Sequence, residues 1–102
     1  MKKQIMALVA ASALIVSANA VAAGDAAAGK TKAAPCGACH GATGVSAAAN
    51  FPNLKGQKDA YMVKQLKAFR SGDRKDPMMA PMAKPLTDAD IDNLAAYFSS
   101  LK

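Results

Sequence analysis

Tryptophan is absent from the 102-residue chain, and three phenylalanines and two tyrosines are its only large aromatic side chains. Such rings dominate the filling of small cores, so a core made from this chain's own side chains is short of volume. Two cysteines and one histidine fall one ligand short of the four that a structural zinc site takes. The basic residues form no dense run and have no aromatic array beside them, which excludes a nucleic-acid stacking platform. No strand pattern, internal repeat or low-complexity linker follows the first quarter of the chain, which removes the βαβ setting that a thioredoxin-type cysteine pair requires.

The amino-terminal fifth reads as a leader. Met1-Lys2-Lys3-Gln4 is positively charged, Ile5 to Val16 is apolar except for Ser12, and small residues continue through Ala23. This is the layout of a secretory signal peptide. Its apolar centre, about a dozen residues, is short of the roughly 20 that span a bilayer. The expectation is a signal peptide over residues 1–22, cut between Ala20 and Gly24, with export to the periplasm and no stable membrane insertion afterwards.

One domain over residues 23–102 then remains, a size at which folds usually lean on a disulfide, a metal or a cofactor. Without Lys2 and Lys3 it holds 11 basic residues against 7 aspartates, a net charge near +4. Such a balance suits steering toward acidic protein surfaces, although solvated lysines that merely confer solubility account for it equally well.

Three helical stretches stand out. Residues 25–34 are alanine-rich and stop before Pro35, which disfavours helical angles in its predecessor. Residues 59–71 place Met62, Leu66 and Phe69 on one side, and Gly72 is suited to end them in a left-handed turn. Thr87 caps the last helix with Asp90 three residues on, ahead of the stripe Ile91, Leu94, Ala95, Phe98 and Leu101. Residues 41–58 and 73–86 read as long irregular stretches, of a length expected in a small domain only where they wrap something.

What they would wrap is indicated by Cys36-Gly37-Ala38-Cys39-His40, the Cys-x-x-Cys-His signal for covalent haem. Its two thiols suit thioether bonds to the macrocycle's vinyl groups, and its imidazole is a strong ligand for haem iron. An inert local disulfide stays open as the alternative. Gly24-Asp25-Ala26-Ala27-Ala28-Gly29-Lys30-Thr31 matches the phosphate-loop pattern, but the segment ahead of it is the leader and not a buried strand, so it carries no mechanical meaning. Gly29 is better read as a close-contact point between helices. For the second iron ligand, Met78, Met79 and Met82 are candidates in a proline-stiffened loop, and their spacing alone does not choose among them.

Taken together, Gly24-Asp25-Ala26, Cys36 to Gly41, Asn50-Phe51-Pro52-Asn53-Leu54, Gly56-Gln57, Tyr61, Gln65-Leu66, Met78-Met79, Leu86 to Ile91 and Ala96-Tyr97-Phe98 resemble class I bacterial cytochromes c. The likeness is strongest to the small cytochrome c-553 type and to single domains of cytochrome c4. It implies an all-α cytochrome c fold, with three to four short helices and long loops around one covalent haem c. It also implies His40 as the proximal ligand and Met79, eight residues before Thr87, as the distal one, with Met78 and then Met82 as runners-up. The carbonyl of Pro52 would orient His40, and Gly29 would pack near Leu94 and Tyr97.

Such a protein is expected to be a carrier and not an enzyme, shuttling single electrons between larger redox proteins, as a monomer or weak dimer. Lys55, Lys58 and Lys84 are candidates to guide docking to acidic surfaces. A haem-based sensor with a labile distal ligand, or an electron-entry subunit of a larger oxidoreductase, are the competing readings.

Overall fold

A computed structural model describes residues 24–102, so the expected leader over residues 1–22 lies outside the described residues. The first helix, α1 (Ala26–Lys32), starts where Asp25 leaves helical angles and its carboxylate accepts from the N–H groups of Ala27 and Ala28, at 2.9 and 3.2 Å. It stops short of the expected Ala34 because Pro35 enters a separate 3₁₀ turn, Ala34–Cys36. A single helical turn follows, α2 (Gly37–His40). Next come α3 (Asp59–Ser71), α4 (Met79–Ala83) and α5 (Asp88–Ser100). No strand occurs among the described residues.

Within the stretch 73–86, expected to be irregular throughout, α4 is the departure. Pro81 is its third residue, and a helix's first N–H groups have no partner within it, so a proline there removes no bond the helix would have made. The Asp76 carboxylate meets the free N–H groups of Met78 and Met79 at 2.8 and 2.9 Å.

The frame is the crossing of α1 with α5. Gly29 is buried there, and a Cβ on it would overlap the carbonyl oxygen of Asn93 and lie 2.8 Å from Tyr97 Cβ. The close neighbours are therefore Asn93 and Tyr97, where the reading of the chain had Leu94 and Tyr97. Asn93 also accepts from the Asp25 N–H through Oδ1 at 2.8 Å.

α5 carries the expected stripe inward, with Ile91, Leu94, Ala95 and Phe98 buried against Met62 and Leu66 of α3 and Ala33. Burying the isoleucine, leucine, phenylalanine and methionine side chains among them stabilises by about 1.5–3 kcal/mol each. α3 ends at Gly72 in the left-handed region, φ 92°, as its sequence predicts. Arg70 then joins α3 to α5, donating to the Leu86 carbonyl at 3.0 Å and to Asp88 at 2.6 Å. The Arg70 guanidinium in turn holds the Asp88 carboxyl below its ordinary range.

Thr87 and Asp90 form a full capping box, each side chain accepting the other's N–H at 3.0 Å. Thr87→Ala deletes one acceptor. The expected cost is about 1 kcal/mol, read as a fall in melting temperature of about 4–8 °C for a domain of this size.

Candidate functional site

α2 brings Cys36, Cys39 and His40 together at the end of the α1 segment. His40 is 7% exposed, and its Nδ1 lies 2.8 Å from the Pro52 carbonyl oxygen. A carbonyl only accepts, so Nδ1 carries the proton and Nε2 keeps the lone pair, which is the form a metal binds. Nε2 is not sealed away either, since no buried side-chain nitrogen or oxygen among the described residues lacks a partner. Phe51 packs edge-on to the imidazole, ring centroids 6.4 Å apart.

Pro52 is placed by the loop 41–58, which is irregular but internally bonded. Leu54 and Lys55 both donate to the Gly44 carbonyl at 2.8 and 3.0 Å, and Gly56 donates to the Phe98 carbonyl at 2.9 Å. Ser46 donates to Asn53 Oδ1 at 2.7 Å. The loop is thereby tied across its own base and to the end of α5.

Beside Cys36 is a cavity of about 220 Å³, lined by Cys36 and Met79 together with Leu66, Leu94, Met82 and Leu86 among others. Burial pushes the Cys36 thiol up from its ordinary pKa, the reverse of the lowered value that makes a redox-active cysteine pair reactive. At the cavity the chain leaves Met82 about half exposed. An apolar cavity that holds the Cys36 thiol and the Met79 thioether, in a chain whose neighbouring Cys39 and His40 complete the Cys-x-x-Cys-His signal, fits a large apolar group that supplies an iron.

The three methionines separate by position. Met79 packs against the core and lines the cavity. Met82 lines it too but is 46% exposed, and Met78 is 53% exposed and absent from the lining. Ala26 to Thr31 of the Gly24-to-Thr31 segment are wound into α1, with Gly29 against α5. No three His, Cys, Asp or Glu side chains converge on a metal position among those residues.

Lys55, Lys58 and Lys84 are all exposed. Lys32, not singled out from the sequence, lines the cavity and pairs with Asp90 at 3.5 Å. Its role comes from the α1–α5 crossing and leaves no trace in local spacing. Asp76 was also missed, although an Asp-Pro step is a common turn starter.

The model of the cytochrome c family matches residues 26–102. Cytochrome c4 of Pseudomonas aeruginosa is 52% identical over 81 residues, which are 79% of this chain and 40% of that protein. Cytochrome c-554(548) of Halomonas halodenitrificans is 49% identical over 81 residues, 76% of this chain and 98% of that one. A thiosulfate dehydrogenase electron acceptor of Thiomonas intermedia is 46% identical over 77 residues, 74% of this chain and 36% of that one. Among solved structures, reduced cytochrome c4 from Pseudomonas stutzeri superimposes with a TM-score of 0.75 at 48% identity, over 78% of this chain and 47% of that one. The chain thus spans about half the length of the cytochrome c4 relatives it matches, or less.

Proposed function

The chain belongs to the cytochrome c family and carries one covalent haem c on Cys36, Cys39 and His40, and from that premise we propose that it is a periplasmic single-electron carrier. The observation that carries the reading is the pairing of a buried His40, its tautomer set by Pro52, with a Met79 that lines the cavity beside Cys36. When bound, the haem supplies a one-electron iron couple whose potential methionine ligation raises.

The protein's own groups do the rest. Cys36 and Cys39 would hold the macrocycle through thioethers. Nε2 of His40 and Sδ of Met79 would hold the iron, which would leave no ligand place for a substrate. Leu66, Leu94 and Leu86 give the cavity an apolar wall, which would limit solvent rearrangement when charge changes. Exposed lysines, Lys55, Lys58 and Lys84 among them, offer a positive surface to acidic docking partners. The partners are larger redox proteins, and the relative described as an electron acceptor for thiosulfate dehydrogenase indicates one class of donor.

Spectra of the purified, haem-loaded protein test this reading. A low-spin c-type spectrum is expected, with the weak red methionine-to-iron band in the oxidised form and no response of the reduced form to carbon monoxide. A high-spin spectrum that shifts with carbon monoxide would replace the carrier with a sensor.

A further inference from the structure

We propose that Asp76 is a positioning residue that selects Met79, over Met78 and Met82, as the iron's axial ligand; this rests on the haem ligation proposed above. Three thioethers lie within five residues of one another, so a chain free to rearrange there has three sulfurs to offer. The structure resolves that degeneracy through the backbone.

A single carboxylate oxygen, Asp76 Oδ1, accepts from the Met78 N–H at 2.8 Å and from the Met79 N–H at 2.9 Å. The Asp76 carbonyl then accepts from Ala80 at 3.0 Å. Pro77, between them, has its φ fixed by its ring. These three bonds and one ring set the chain direction through residues 76–80. The result is that Met78 projects outward while Met79 turns into the cavity.

Both flanks of the segment are tied to α3 independently. Arg74, just before Asp76, donates to Gln65 at 2.7 Å and stacks on Phe69 at 4.5 Å. Arg70 holds the Leu86 carbonyl at 3.0 Å. What Asp76 adds is local, since it sets which sulfur the anchored segment presents. Removing its side chain frees two N–H groups at the start of α4 and lets the first turn shift, so that Met79 is held in place less often.

The role belongs to an oxygen placed to accept two N–H bonds and not to a charge, which separates it from a simple electrostatic effect. The test measures the imidazole concentration that half-displaces methionine from the oxidised iron, followed by loss of the red band. Asp76→Ala is expected to lower that concentration about fivefold, the equivalent of about 1 kcal/mol for a lost cap. Asp76→Asn, which keeps an acceptor oxygen in place, is expected to stay within about twofold of the parent. Thr87→Ala removes a cap of the same kind on α5 and is expected to leave the midpoint unchanged, whereas general destabilisation would move all three.

If Asp76→Ala fails to assemble with haem, Asp76→Glu takes over the test. It keeps the charge but shifts the oxygens by a methylene, and is expected to weaken methionine binding as alanine does. An unchanged midpoint in Asp76→Ala, an Asp76→Asn as weak as alanine, or a parent-like Asp76→Glu overturns the proposal. A parent protein without the red band overturns the ligation itself, a separate result.

Discussion

Met79→Ala, prepared with its haem attached, is expected to lose the red methionine-to-iron band, turn high-spin and bind carbon monoxide when reduced. The reason is positional. Met79 packs against the core and lines the cavity, while Met78 is 53% exposed and points elsewhere. Met82 lines the same cavity, but it sits three residues further on in α4, and reaching Met79's place would require that helix to unwind or rotate. The vacated position therefore passes to water or an added ligand. Loss of a thioether also lowers the reduction potential, by a sizeable part of the roughly 0.8 V over which axial ligands act. Retention of the band in Met79→Ala would transfer the ligand role to Met82 or Met78, and Met82→Ala would then identify which.

Gly29→Ala is expected to be the most damaging single-methyl change in the frame. The added carbon would overlap the backbone carbonyl of Asn93, which cannot swing aside as a side-chain tip could, and would crowd Tyr97 Cβ at 2.8 Å. α1 must lift from α5, and with it goes the bond from the Asp25 N–H to Asn93. Overpacking of this kind costs about 3 kcal/mol at the upper end of its usual range, which lowers the melting temperature by roughly 12–24 °C for a domain of this size. Gly37→Ala is the control, because its added carbon would lie 3.4 Å from Ala42 Cα, close to ordinary contact. Equal melting temperatures for the two variants would show that α1 and α5 do not depend on close approach.

The long, well-signalled elements could be read from the residues. α3 occupies the predicted span because its apolar spacing and Gly72 agree on where it begins and ends. α5 starts at its capping box because Thr87 and Asp90 satisfy each other within four residues of chain. The cysteines and His40 are named by their spacing, whereas Met79 and Pro52 needed the family resemblance, since three methionines and five prolines offer no local reason to prefer one. α4 was not visible because prolines in a short segment read as breakers, and only Pro81's place in the first turn, where no bond within the helix is lost, makes it harmless. The pairing of Lys32 with Asp90 depends on how two helices cross, and no window of sequence contains that crossing.

The partner that sets the tautomer of His40 is a main-chain oxygen, and this gives the ligand an unusual mutational insulation. No side-chain replacement at position 52 deletes a carbonyl, so a point mutation there changes the ring above the bond but not the acceptor beneath it. The vulnerable positions are instead Gly44 and Gly56 at the loop's base, whose backbones lie at φ 82° and 71° where a side chain is strained, together with Asn53, whose side chain accepts from Ser46. Variation can thus accumulate directly beside the ligand while the loop's distant base stays under constraint.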